Sequence, residues 1–131
     1  MTDIFNPEVT QSRIELESLV ETLRSSRFTF VTELQLQDGI EQVLQIKQIP
    51  YDREFVASAK DRFDFLLPGG AVIEVKTKWS WSDCLRQLGR YAEREDVEEI
   101  VIVGTPRWIN RIPSAIHGKR IHRVHLIGSL L

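Results

Sequence analysis

Asp64, Glu74 and Lys76 are the residues best placed to do chemistry, because each interrupts a run that is otherwise apolar. The segment from Arg62 to Lys76 reads Arg-Phe-Asp-Phe-Leu-Leu-Pro-Gly-Gly-Ala-Val-Ile-Glu-Val-Lys, two strand-like runs around Pro68-Gly69-Gly70. Proline stops the first run and glycine tolerates the positive φ of a tight turn, so a β-hairpin is expected. Side chains alternate along a strand, which puts Glu74 and Lys76 on one face and Ile73 and Val75 on the other. Pairing across the turn brings Asp64 towards Glu74 on the charged face. Two carboxylates held together in a half-buried sheet repel and lose hydration, a penalty that a cation between them relieves. A hard divalent ion with oxygen ligands is the simplest such cation, and Mg²⁺ commonly takes only one or two carboxylates. Lys76 then stands beside whatever the ion binds.

The residues after the hairpin extend this pattern. Ser80 or Ser82 can cap a helix whose core face is Leu85, Leu88 and Ala92, with Cys84 nearby. Gln87 and Tyr91 are four apart on that helix and project from one side, able to address one object. Arg86, Arg90 and Arg94 form a second such row, open to phosphates or to solvent alone. Trp79 and Trp81 sit on the connection beside the hairpin, where they could stack on bases; Trp81 could equally staple the helix start.

At these positions the chain resembles the PD-(D/E)XK nuclease superfamily, whose signature is an Asp, a hairpin and then Glu-X-Lys. Asp64, Glu74 and Lys76 match it, with Phe63-Asp64 in place of the Pro-Asp of the name. Gln87-Leu88-Gly89-Arg90-Tyr91 matches the Gln-X-X-X-Tyr element of the RecB-like branch, and the similar region spans roughly Thr32 to Val103. The resemblance implies a restriction-endonuclease-like αβββαβ core, a mixed central sheet flanked by helices. It also implies metal-dependent hydrolysis of phosphodiester bonds, with DNA the more expected substrate than RNA. Asp64, Glu74 and the Val75 carbonyl would bind Mg²⁺ or Mn²⁺, and Lys76 would position or deprotonate the attacking water. A Glu from the first core helix would support the metal's water shell; Glu33 is preferred and Glu41 is the alternative. Gln87, Tyr91, Lys78 and Arg62 are the candidate substrate contacts. Arg62 could instead orient Asp64 or form a surface ion pair.

The elements that must position these residues follow from periodicity. Asn6-Pro7-Glu8 reads as a helix start, and Leu16, Leu19, Val20 and Leu23 recur at helical spacing, so a helix over about 7–25 is expected. Residues 27–31 are an extended connector. Thr32 caps a second helix with Gln35 in a capping box, and Leu36, Ile40, Val43 and Leu44 form its apolar stripe up to Ile49-Pro50. Tyr51 to Ala57 reads as a strand whose Glu54 pairs with Arg53, Arg62 or Lys60. The apolar run from Ile100 to Val103 is a buried, parallel strand, which makes 71–104 a strand–helix–strand unit. Beyond Pro106 the chain reads as irregular, ending in a strand near Arg120–Ile127 that extends the sheet. The histidines at 117, 122 and 125 have no metal-ligand spacing and are assigned to the surface or an edge.

At 131 residues the chain is one domain: an N-terminal helix and connector over 1–31, a catalytic core over 32–104 and a C-terminal extension over 105–131. One cysteine excludes an intramolecular disulfide, and no zinc spacing occurs. No signal peptide or apolar run near eighteen residues is present, so no membrane partner and a cytoplasmic location are the expectations. A net charge of −2 argues against a generic nucleic-acid binder. However, no acid follows Glu99, and the last 32 residues hold five Lys/Arg and all three histidines. That asymmetry allows a local basic surface. Low net charge also suits a homo-oligomer or a subunit of a larger nuclease complex. The competing class is a DNA-binding or assembly module that kept the fold and lost turnover.

Overall fold

An unbroken apolar run such as Ile100–Val103 is stable only where both faces of its strand are covered. In the computed structural model, which describes residues 7–127 with side chains placed from Leu16 onward, both are. The chain is an α/β fold. Its elements are α1 (Pro7–Ser25), α2 (Glu33–Ile46), β1 (Asp52–Val56), β2 (Arg62–Leu66), β3 (Ala71–Lys76), α3 (Trp81–Ala92), β4 (Glu99–Gly104), β5 (Ala115–Ile116) and β6 (Lys119–His125). The strands form one mixed sheet in the order β1-β2-β3-β4-β6-β5. β1, β2 and β3 are antiparallel neighbours, β3, β4 and β6 run parallel, and β5 closes the far edge antiparallel to β6.

Helices cover both sheet faces. Leu16, Leu19, Val20 and Leu23 of α1 and Leu36, Ile40 and Leu44 of α2 pack with Ile73, Val75, Val101 and Val103. Cys84, Leu88, Tyr91 and Ala92 of α3 pack on the other face with Val72, Ile100 and Ile102. Each fully buried Leu or Ile stabilises the fold by about 1.5–3 kcal/mol. The first helix, expected as an addition to the core, shares one continuous apolar cluster with the central strands. Its expected cap Asn6 lies outside the described residues.

Local signals placed the helices well. Thr32 Oγ1 accepts from the Gln35 amide, and the Gln35 side chain accepts from the Thr32 amide, a complete capping box. Ser80, rather than Ser82, caps α3 through the Asp83 amide. Helix α2 ends at Ile46, earlier than the Ile49-Pro50 stop, because the chain reverses at Gln48 with a φ of 57°. Residues beyond Pro106 are more ordered than expected. Arg107–Arg111 forms a 3-10 turn that buries Ile109, and β5 joins β6 through His117 and Gly118, both at positive φ. The final strand is β6, Lys119–His125. His122 is buried on it, not surface-placed, with Nε2 2.9 Å from Glu99 Oε1.

Two strand-to-strand approaches position the hairpin. Gly70, at a φ of 84°, turns the chain into β3, and its carbonyl accepts from the Glu98 amide at 2.8 Å. Gly104 lies opposite Lys76 in the parallel β3–β4 register, and a Cβ there would stand 1.8 Å from the Lys76 carbonyl oxygen. Backbone cannot yield as a flexible side chain can. Gly104→Ala is therefore expected to destabilise the protein by about 3 kcal/mol or more. Gly89→Ala on α3, where a Cβ meets nothing within 4 Å, should stabilise by up to about 1 kcal/mol. Denaturant unfolding of the two variants checks both signs.

Candidate functional site

The β2–β3 hairpin is regular near its turn and opens at its charged end. Phe65 pairs with Ile73 and Leu66 with Val72, but the ladder goes no further. Where Asp64 and Glu74 would continue it, their side chains take over the hydrogen bonding. The Asp64 amide donates to Glu74 Oε1 at 3.0 Å, and the Val75 amide donates to Asp64 Oδ2 at 2.8 Å. The β1–β2 ladder also skips its step at Glu54 and Asp64, and Glu54 has a φ of 55°. Phe63 and Phe65, two residues apart, consequently end up in opposite apolar clusters. The strand turns over at Asp64, which strict alternation did not anticipate.

Burial exceeds the half-buried setting expected. Glu74 is 1% exposed and Lys76 4%. Burial, together with the Asp64 charge, pushes the Glu74 carboxyl up to about 8, against the pull of Lys76 and the Asp64 amide. Asp64 is also raised by burial, and the charges of Glu33 and Glu54 add to this; the Val75 amide and Lys76 oppose it. Lys76 Nζ lies 3.4 Å from Glu74 Oε2 and 3.8 Å from the centre of the Trp79 ring, so the ammonium sits between a carboxylate and an aromatic face. Trp79 itself has a φ of 118°, a conformation that costs a non-glycine residue about 1–3 kcal/mol.

The two helix carboxylates separate. Glu33 Oε1 accepts from the Thr77 amide at 2.9 Å, directly after Lys76, and so belongs to this cluster. Glu41 instead pairs with Arg53 at 3.2 Å, in a network with Asp38 and Gln37 that ties β1 to α2.

Tyr91 is 1% exposed, and its hydroxyl donates to the Arg62 carbonyl at 2.9 Å, while its ring meets Phe63 edge-on at 4.8 Å. It thus supports the strand carrying Asp64 from below. Burial first, then the charges of Glu74 and Asp64, hold its hydroxyl well above the ordinary tyrosine range, which keeps it a donor. Gln87 points Oε1 into the protein, where that atom is buried without a hydrogen-bond partner. Arg62 is exposed and pairs with Glu54 at 3.6 Å, as the ion-pair reading had it; Lys78 is exposed. Helix α3 ends before Arg94, so only Arg86 and Arg90 of the expected arginine row lie on it. All three are engaged with acids: Arg86 with Asp83, Arg90 and Arg94 with Asp61, and Arg94 with Asp96. Asp61 is buried and was not singled out from the sequence, where a turn Ser-Ala-Lys-Asp gives no hint of a partner thirty residues away.

The donor set suits a hard cation. Asp64 and Glu74 supply adjacent carboxyl groups held by amides of each other's strands, with Lys76 beside Glu74. Among the described residues no group of three or more His, Cys, Asp and Glu side chains converges as a complete cage. Mg²⁺ does not require one. A cleft of about 450 Å³ lined by Arg24, Arg27, Phe28, Phe30, His125 and Leu126 holds none of these carboxylates. No helix among the described residues is long and apolar enough to cross a membrane. The chain matches no family model, no curated protein and no solved structure.

The Glu74 shift has a pH consequence. The unfolded carboxyl ionises near its ordinary value of 4.5, while the folded one keeps its proton to about 8. Between these values the unfolded state binds fewer protons, so this group's contribution to stability falls as pH rises and levels off above about 8. Glu74→Gln should therefore gain stability over native protein progressively across that window in metal-free buffer. Thermal melts of both proteins over the range measure the difference.

Proposed function

We propose that the chain is a metal-dependent nuclease of the PD-(D/E)XK kind, with the strands and helices from α2 to β4 as its restriction-endonuclease-like core. The observation that carries this reading is the cross-bonded pair Asp64 and Glu74 at the opened end of the hairpin, with Lys76 Nζ against Glu74. Asp64, Glu74 and the Val75 carbonyl would hold Mg²⁺ or Mn²⁺, and Glu33, fixed by the Thr77 amide, would support the surrounding water. When bound, such an ion polarises a phosphate and lowers the pKa of water, the chemistry a phosphodiester needs.

The remaining roles belong to the chain's own residues. The two carboxylates fix where the phosphate can sit. Lys76, a fixed cation donor, orients the attacking water and offsets charge as that water adds to phosphorus and the bridging P–O bond breaks. Tyr91 and Phe63 keep the Asp64 strand in place. DNA is the substrate this reading favours. With a net charge of −2, affinity rests on local cations and should fall steeply with salt.

One observation favours a second reading, an inert binding or assembly module: Lys76 already supplies Glu74 with a cation at 3.4 Å. Nicking of supercoiled plasmid in Mg²⁺ or Mn²⁺ separates the two. Native protein is expected to nick, with Lys76→Ala slower by roughly 100-fold or more and still binding DNA in EDTA. Equal background in native protein and in Lys76→Ala would leave the inert module standing.

A further inference from the structure

The three tryptophans of the chain, at 79, 81 and 108, are linked around the β3–α3 connection, with Trp79 against Lys76, although the last is far away in sequence. Trp108 Nε1 donates to the Trp79 carbonyl at 3.2 Å, which ties the 3-10 turn to the β3–α3 connection. Arg111, from that same turn, places its guanidinium 5.5 Å from the Trp81 ring centre. Trp79 and Trp81 nevertheless remain 49% and 37% exposed. Large aromatics are costly to leave in water, and one of these is also held at an unfavourable φ. Core packing does not explain their position.

Exposed cations flank them, and the exposed acid nearest Trp81, Asp83, is paired with Arg86. Lys78, Arg107 and Arg111 are exposed on the segments that carry the tryptophans, and Lys76 lies beneath Trp79. The other Lys and Arg of the basic C-terminal third are engaged elsewhere. Lys119 donates to the carbonyls of Arg94 and Val97, Arg123 to those of Asn110 and Ile112, and Arg120 pairs with Glu17. Exposed indoles interleaved with cations fit a polyanion whose flat apolar groups are accessible. A duplex buries its base faces in the stack, whereas an unpaired strand offers them.

We propose that Trp79 and Trp81 form a stacking platform for unpaired bases flanking the phosphate at Asp64 and Glu74, making single-stranded nucleic acid the class this site takes. This rests on the nuclease reading of the site, and it is tested without cleavage. Native protein in EDTA at fixed salt is titrated with a fluorescein-labelled oligothymidylate and with a duplex of equal length, followed by anisotropy and by tryptophan quenching. The single strand is expected to bind more tightly and to quench. Trp79→Ala and Trp81→Ala should each weaken it about 5- to 150-fold, the range found when base-stacking aromatics are truncated. Trp79→Tyr and Trp81→Tyr should retain most of the affinity, which guards against a misfolded alanine variant. Tighter binding of the duplex, or tyrosine and alanine variants alike in affinity, would overturn the platform while leaving plasmid nicking and its Lys76 dependence intact. If neither oligonucleotide binds, the platform fails, and the nicking comparison decides the nuclease reading separately.

Discussion

The structure depends on two acids standing where a β-ladder would otherwise continue. At Asp64 and Glu74 the strands stop exchanging backbone hydrogen bonds, and each carboxylate accepts an amide from the other strand. Those bonds satisfy donors that would be costly to bury unpaired. They also bring like charges together in a place nearly closed to water, which is why both carboxyls are raised. A sheet that only needed to be stable would put apolar residues here. The surroundings instead sustain the arrangement: Lys76 between Glu74 and Trp79, Glu33 on the Thr77 amide, Tyr91 under Arg62.

Much of the remaining charge serves assembly. Arg53 joins β1 to α2 through Asp38, Glu41 and Gln37, and buried Asp61 draws Arg90 of α3 and Arg94 just beyond it onto the β1–β2 connection. These pairs hold the outer strand and its neighbouring helices around the hairpin. They also engage three of the cations that a count of Lys and Arg would offer to a polyanion, Arg53, Arg90 and Arg94. Lys78, Arg107 and Arg111 stay exposed on the segments that carry the tryptophans.

The close packing of β3 on β4 connects fold and site. Lys76 lies opposite Gly104, and the Thr105 amide donates to the Lys76 carbonyl at 3.1 Å. The missing side chain at Gly104 lets the strand ends approach at the point where β3 gives way to the Trp79 connection. Backbone packing thus sets where Lys76 leaves the strand, and the Trp108 indole further ties the Trp79 connection.

The sequence by itself determined the helices, the hairpin and the parallel β3–α3–β4 unit, because caps, turn glycines and apolar periodicity are local signals. It also placed Asp64 near Glu74, since a two-glycine turn leaves little freedom of register. Only the tertiary structure decided which helix glutamate joins them: Glu33 and Glu41 share a helix, and what separates them is the direction in which α2 crosses the sheet. The strand's turning over at Asp64, the pairing of Arg90 and Arg94 with Asp61, the burial of His122 and the short strand β5 were likewise hidden. Each depends on a partner distant in the chain or on a backbone angle that no residue type announces. Local preferences are written into neighbouring residues, whereas contacts across the fold exist only once the chain has closed on itself.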